Sequence, residues 1–85
     1  MIKVAICDDE NMIASQIDNM ILTICQKENI SVDTDVFYGG SSLEKEMLSG
    51  TKYDLIYLDI QMKDGDGITI AKNIRKMDEN VLLIY

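Results

Sequence analysis

The sequence contains no histidine, no proline and no tryptophan, and it has one phenylalanine and two cysteines among its 85 residues. Without histidine, the chain offers no imidazole as a catalytic base or metal ligand. Without proline, its turns depend on Gly, Asn, Asp and Ser. Cys7 and Cys25 form no C-x-x-C motif. We therefore expect free thiols in a reducing, cytoplasmic setting rather than a disulfide.

Long apolar runs and positive charge are also scarce. No apolar run approaches the roughly 20 residues that a helix needs to cross a bilayer, so no membrane association is expected. Eight basic residues stand against fifteen acidic ones, which gives a net charge of −7. Such a surface repels phosphate backbones, so this chain by itself is not expected to bind nucleic acid. An excess of carboxylates is better suited to a divalent cation.

The residues that are present describe one small globular domain with alternating elements. The composition is 47% hydrophobic and 27% charged, which argues against disorder. Two apolar runs predict buried strands, and they cover Ile2 to Cys7 and Tyr53 to Ile60; Val81 to Tyr85 predicts a third apolar strand. Ser31 to Tyr38 instead alternates apolar and acidic residues, which predicts a strand at the edge of a sheet.

Helical periodicity fills the intervals between these strands. Asn11 to Lys27 carries an apolar stripe that we expect in the core, made of Met12, Ile13, Ile17, Met20, Ile21 and Ile24. A short second helix is predicted with a capping box from Ser41 to Glu44, an end near Gly50, and inward Leu43, Met47 and Leu48. A third is predicted from a cap at Asp66 through Met77, with Ile70, Ala71 and Ile74 inward. Met62 to Gly65 is predicted to be a loop.

The resulting order, β-α-β-α-β-α-β, predicts an α/β fold. Strands that alternate with helices form a mostly parallel sheet through right-handed crossovers, with helices on both faces. If the alternating strand is an edge, the first strand lies beside it and the third pairs with the other side of the first. The predicted strand order is therefore 2-1-3-4.

This order places three carboxylates together. Ligands of open parallel sheets bind beyond the C-terminal ends of the strands where the crossover direction switches. Asp8 and Asp9 follow the first strand, and Asp59 stands near the end of the third. Three carboxylates in one pocket repel one another, and Mg²⁺ or Mn²⁺ would relieve that repulsion. A carboxylate beside such a cation can also attack a phosphoryl group without a separate base.

Plainer interpretations remain beside this one. Asp8-Asp9 taken alone is typical of a solvated turn. Asp64-Gly65-Asp66-Gly67 superficially matches a calcium loop, but the further acidic positions of an EF-hand are missing. The same segment is also similar to the acidic motif of haloacid-dehalogenase-like phosphatases, although Asp59 occupies the place directly after the strand here.

The paired motifs resemble the receiver domain of two-component response regulators, which has a flavodoxin-like fold. The resemblance rests on Asp8-Asp9-Glu10 after the first strand and on the family pattern D-x-x-M-P-x-x-D-G, matched at Asp59, Met62, Asp66 and Gly67. Lys63 stands where that pattern has proline. The segments KVAICDDE, VFYGG and YDLIYLDIQM look most like regulators whose output is a LytTR-type DNA-binding domain, which would act in transcription.

The resemblance implies a role for each matching residue. Asp59 would be the phospho-acceptor, receiving a phosphoryl group from a sensor histidine kinase with Mg²⁺ or Mn²⁺. Asp9, Asp59 and the backbone carbonyl of Gln61 would bind the metal directly, and Asp8 would bind it through a water. Met62, Asp66 and Gly67 would shape the loop. A receiver of this kind is a signalling domain rather than an enzyme with a separate substrate; a Mg²⁺-dependent phosphatase is the enzymatic alternative.

Family members run to about 120 residues, within the usual range of domain sizes. The resemblance therefore implies that residues 1–85 are the N-terminal two thirds of a receiver, without the last helix-strand-helix. The Thr or Ser and the Lys that report phosphorylation have no matching positions here. We then expect apolar side chains of Ile2 to Cys7 and Leu55 to Leu58 to face water. A homo-oligomer or segment-exchanged dimer would follow, and a non-switching interaction fragment is an alternative function.

Overall fold

The computed structural model describes residues 1–63 and 65–85, and of Gly65 and Asp66 it describes only the backbone. Its strands are β1 (Ile2–Cys7), β2 (Val32–Phe37), β3 (Leu55–Leu58), β4 (Gln61–Met62), β5 (Gly65–Asp66) and β6 (Leu82–Ile84). Its helices are α1 (Asn11–Lys27), α2 (Gly40–Leu48) and α3 (Gly67–Met77). In the described part of the chain, no helix is long and apolar enough to span a bilayer.

The main sheet has four parallel strands in the order β2-β1-β3-β6. Since β6 is the fourth strand of this sheet along the chain, the predicted order 2-1-3-4 is confirmed. The prediction of a loop over Met62 to Gly65 is wrong in part, because β4 and β5 pair antiparallel in a separate two-stranded ribbon. Strands of two residues are too short to leave a periodic pattern in the sequence.

Helices cover both faces of the sheet, as predicted. One face of β1 and β3 packs under α2 and α3. The largest fully buried side chains of this core include Ile56 and Leu58 from β3, Leu43 from α2 and Ile74 from α3. On the opposite face, Val4 and Ile6 pack against Ala14 of α1, with Ile17 and Ile21 alongside. The alternation in β2 follows from this arrangement, since Val32 and Val36 join the α1 side and Phe37 the other.

The expectation that β1 and β3 expose their apolar side chains is wrong for most of them. Val4 and Ile6 are 2% and 0% exposed because α1 lies over them. Ile56 and Leu58 are buried under α2 and α3. Leu55 and Tyr57 are half-buried on the α1 side.

The helix α1 has the predicted bounds, but much of its apolar stripe is not in the core. Ala14 is its buried residue, whereas Met12, Met20 and Ile24 are exposed. A helix on a sheet buries only the narrow arc that faces the strands. The exposed Met20 and Ile24 lie on the flank of that arc. Periodicity finds an apolar stripe, but the packing partner decides which part of it is covered.

The prediction of a capping box in α2 is wrong. The helix begins at Gly40, its N-cap residue is Gly39, and that cap makes no side-chain hydrogen bond. Leu43 and Met47 are buried as predicted, but Leu48 is 74% exposed at the last turn. The end near Gly50 is correct: Gly50 has φ of 109° and its N–H donates to the carbonyl of Met47.

Candidate functional site

The site lies at the carboxyl ends of β1 and β3. Cys7 is paired with Leu58 in the parallel register, so the residues that follow, Asp8 and Asp59, lie side by side. The N–H of Asp59 donates to the carbonyl of Cys7 at 2.9 Å, and the N–H of Asp8 donates to the carbonyl of Phe37 at 3.0 Å. These bonds continue the sheet by one residue and hold both aspartates at its end.

The three predicted carboxylates do come together. Asp8, Asp9 and Asp59 each offer a carboxylate oxygen, and these oxygens all lie within 4.8 Å of one another. Asp8 is buried at 2% exposed, while Asp9 and Asp59 are partly exposed. The group has the geometry of an oxygen-lined cation site with one buried wall and one side open to water.

Each carboxylate is fixed by a backbone N–H. Asp8 Oδ1 accepts from Glu10 at 2.9 Å, and Asp59 Oδ1 accepts from Gln61 at 3.0 Å. Asp9 Oδ2 accepts from Lys63 at 2.9 Å. Rotamers held in this way reduce the entropy that is lost when a ligand is bound.

The electrostatics of the group favour a cation. Burial raises the pKa of Asp8 above its usual value, the negative charges of Asp59 and Asp9 raise it further, and the Glu10 hydrogen bond offsets part of the rise. Burial also raises the pKa of the Tyr57 hydroxyl, and the charges of Asp8 and Asp59 add to this effect. Hard oxygen donors under mutual repulsion fit Mg²⁺ or Mn²⁺, so the residues present suit the predicted metal.

Two of the predicted loop residues have clear structural roles. Met62 is 7% exposed, and its sulfur lies 3.6 Å from Sγ of Cys7, which ties the loop to the end of β1. Gly67 lies against the backbone of Ile60, and a Cβ at Gly67 would come within 2.7 Å of the Ile60 carbonyl carbon and oxygen. Glycine is therefore required where α3 begins, directly after β5.

Some predicted positions lie beyond what is described. The side chain of Asp66, predicted as the cap of α3, is outside the described residues, as is Asp64. The N–H of Lys63 is a contact that sequence reasoning missed. A backbone donor leaves no mark in residue type, and this one joins positions 54 residues apart.

A sequence model described as the response regulator receiver domain matches residues 4–85. The chain belongs to this family. The prediction made from the paired acidic motifs is thereby confirmed at the level of the family.

Two curated relatives of this receiver domain have signalling names. The chain is 34% identical over 82 residues to hybrid signal transduction histidine kinase L of Dictyostelium discoideum. These residues are 95% of this chain and 4% of that protein. It is 36% identical over 78 residues to the regulatory protein VanRc of Enterococcus gallinarum, with 87% of this chain and 29% of that protein covered. The receiver domain thus spans a minor part of each of these two proteins.

Solved structures agree with the fold. The response regulator TrrA of Thermotoga maritima, in complex with Mg²⁺ and BeF, has a TM-score of 0.72 and 29% identity, covering 98% of this chain and 66% of that one. TrrA in complex with histidine kinase ThkA has a TM-score of 0.67 and 30% identity, and it covers 98% of this chain and 66% of that one. The N-terminal domain of a Carboxydothermus hydrogenoformans response regulator protein has a TM-score of 0.82 at 23% identity. The match covers 95% of this chain and 60% of that one, and it supports the fold alone.

Proposed function

We propose that this receiver domain accepts a phosphoryl group on Asp59 from a histidine kinase and thereby controls an output. The observation that carries the proposal is the convergence of Asp8, Asp9 and Asp59 at the carboxyl ends of β1 and β3. The TrrA complexes with Mg²⁺-BeF and with a kinase support it by similarity. We place the domain in the cytoplasm, where a kinase of this kind would meet it.

The proposed reaction needs little from the protein beyond position and charge. A carboxylate oxygen of Asp59 attacks the phosphorus of a phosphohistidine, the new O–P bond forms as the N–P bond breaks, and the imidazole leaves with a proton from solvent. The Gln61 N–H fixes the orientation of the Asp59 carboxylate. Asp59 is partly exposed, so a donor can reach it from solvent.

We propose that Asp9, Asp59 and the backbone carbonyl of Gln61 hold Mg²⁺ or Mn²⁺, and that Asp8 acts through a water. When bound, the cation neutralises negative charge on the transferred group. The grouping of the three carboxylates within 4.8 Å supports a shared ion, and the separate roles follow from the resemblance to receiver domains. Met62, Asp66 and Gly67 shape the loop around this group.

We test the acceptor by intact mass spectrometry with a small-molecule phosphodonor, with and without Mg²⁺. The wild type should gain one phosphate only with Mg²⁺, and Asp59→Asn should gain none. Asp54→Asn is the matched control, because Asp54 directly precedes β3 whereas Asp59 directly follows it. This variant should behave as wild type. An equal adduct on Asp59→Asn would overturn the assignment, and no adduct on wild type would overturn the acceptor function.

A phosphatase would behave differently, because it would release phosphate from an ester over many turnovers. We propose a signalling acceptor rather than such an enzyme. We also propose, from the segments KVAICDDE, VFYGG and YDLIYLDIQM alone, that the output is of the LytTR type and acts in transcription. Any DNA contact would then belong to that output and not to residues 1–85, since their net charge is −7.

A second candidate function is self-association through β6. This edge strand exposes Leu82, Ile84 and the adjoining Tyr85 at 60%, 46% and 70%, and Val81 to Tyr85 carries no charged side chain. The opposite edge, β2, carries the charged side chains of Asp33 and Asp35, which disfavour pairing with another strand. Their Oδ2 atoms lie 2.8 Å and 3.4 Å from Nζ of Lys3 in β1. We propose that a second copy of this chain pairs with β6, because two uncharged edges meet there without the repulsion expected elsewhere on an acidic surface.

A further inference from the structure

The carboxylates of Asp8, Asp9 and Asp59 are held in two different ways. Asp8 and Asp59 each accept an N–H from two residues further along the chain, which is a local turn. Asp9 accepts the N–H of Lys63, across 54 positions, at 2.9 Å. The orientation of Asp8 and Asp59 is therefore set by local backbone, whereas that of Asp9 depends on where the segment after β4 lies.

That segment is itself attached to the acceptor side of the site. Lys63 follows β4, and β4 begins at Gln61, whose N–H donates to Asp59. Met62, between them, is buried and contacts Cys7 through its sulfur. A run of three residues thus contacts Asp59 at one end and Asp9 at the other.

We propose that the main-chain N–H of Lys63 is the positioning group for Asp9. It fixes Oδ2 of the carboxylate, so that Asp9 is held for a cation at the same time as it is coupled to the Asp59 loop. The inference rests on the proposed function, because Asp9 has a task only if the site binds a metal. Hydrogen bonds to an ionised carboxylate are among the stronger ones, which suits this role.

The donor is a backbone group, so nearly every residue type at position 63 would supply it. Proline is the exception, because its ring nitrogen carries no hydrogen. The receiver pattern that this sequence resembles has proline at this position, and Lys63 replaces it here. The replacement therefore adds a donor to the site, and its side chain is not the part that acts.

The test compares Lys63→Pro with Lys63→Ala in the 85-residue chain. Both lose the lysine side chain, but only the alanine variant keeps the N–H. We measure Mg²⁺ affinity by isothermal titration calorimetry. Lys63→Ala should stay within about twofold of wild type, and Lys63→Pro should bind about tenfold more weakly, as is usual when a group that orients a metal ligand is removed. Equal or tighter binding by Lys63→Pro would overturn the proposal.

A metal-free measurement separates this inference from the proposed function and serves if Lys63→Pro does not fold. Amide hydrogen exchange of Lys63 is followed by NMR in Asp9→Asn and Asp9→Ala, which carry the same charge. Asparagine keeps an acceptor oxygen and alanine does not, so exchange at Lys63 should be about fivefold faster in Asp9→Ala. The Gln61 amide, bound to Asp59, should be unchanged. Equal rates at Lys63 in the two variants would refute the hydrogen bond, whereas failure of wild type to bind Mg²⁺ would refute the metal function.

Discussion

The N–H of Asp59 donates to the carbonyl of Cys7 at 2.9 Å, so the end of β3 is hydrogen-bonded to β1, the strand that Asp8 and Asp9 follow. This bond extends by one residue the parallel register in which Cys7 pairs with Leu58. A shift by one residue would turn Asp59 toward the opposite face of the sheet, since side chains alternate along a strand. The register of two buried strands thus determines whether the acidic group exists.

Mg²⁺ should stabilise the folded chain, because the proposed site groups Asp8, Asp9 and Asp59 only in the native state. At a concentration ten times its Kd, the gain is about 1.4 kcal/mol, and each kcal/mol raises Tm by about 4–8 °C in a domain of this size. Differential scanning fluorimetry with and without Mg²⁺ measures it. Asp9→Asn should lose most of the shift, while Glu79→Gln, an exposed change of equal charge, should keep it. An undiminished shift in Asp9→Asn would contradict the assigned ligand.

Asp8→Asn should stabilise the protein at pH 7 when no divalent cation is present. Burial and the neighbouring Asp59 and Asp9 raise the pKa of Asp8 in the folded state. A carboxyl group with a raised pKa favours folding below its unfolded value and loses that contribution as the pH rises through the folded value. Each unit of rise corresponds to about 1.4 kcal/mol above both values.

Urea unfolding of wild type and Asp8→Asn at several pH values measures this difference. The advantage of Asp8→Asn should shrink as the pH falls through the raised pKa of Asp8, because protonation makes the wild-type carboxyl neutral. Added Mg²⁺ at pH 7 should reduce or reverse the advantage, because only wild type keeps all three charges. A variant that is less stable than wild type at pH 7 without metal would show that the repulsion is unimportant.

Gly67→Ala should be strongly destabilising. The new Cβ would overlap the backbone of Ile60, and backbone atoms cannot move aside cheaply. Overpacking of this kind costs about 1–3 kcal/mol. The loop that carries Asp59 should move as well, so Mg²⁺ affinity should fall together with the urea midpoint.

Gly40→Ala is the matched control for this substitution. The Cβ at Gly40 would meet the side chain of Ile70, whose Cδ1 lies at the end of a flexible chain. We therefore expect Gly40→Ala to lower stability less than Gly67→Ala does. The Mg²⁺ affinity of the folded Gly40→Ala variant should equal that of wild type. If Gly40→Ala were the more damaging of the two, close backbone approach would not explain the glycine at position 67.

Self-association through β6 should depend on concentration and should be blocked at the edge. Leu82→Lys places a charge on the exposed edge strand, which opposes pairing between copies. Met12→Lys places the same charge on α1, at a side chain that is also exposed. Light scattering after size exclusion should show a wild-type dimer that Leu82→Lys abolishes and Met12→Lys retains. A monomeric wild type at high concentration would contradict the proposal, and a dimer unaffected by Leu82→Lys would point to segment exchange or another surface.

Much of the fold could be predicted from local patterns. The bounds of β1 and α1 follow from an apolar run and a helical period, and both are as predicted. The start of α2 could not be predicted in the same way, because Ser41 and Glu44 fit a capping box that the helix does not use. The N-cap position depends on where the chain leaves β2 and turns into the helix. Here β2 ends at Phe37, and Gly39 is the N-cap residue.

The sequence by itself determined the order of strands and helices and the placement of Asp8, Asp9 and Asp59 at strand ends, because periodicity and burial preference act over a few neighbouring residues. Only the tertiary structure decided that Met20 and Ile24 lie outside the core, that Gly67 touches Ile60, and that Lys63 holds Asp9. These features depend on how separate segments meet in space. Side-chain pattern records which face of an element is apolar, but it does not record what that face will contact or which backbone N–H will find a carboxylate.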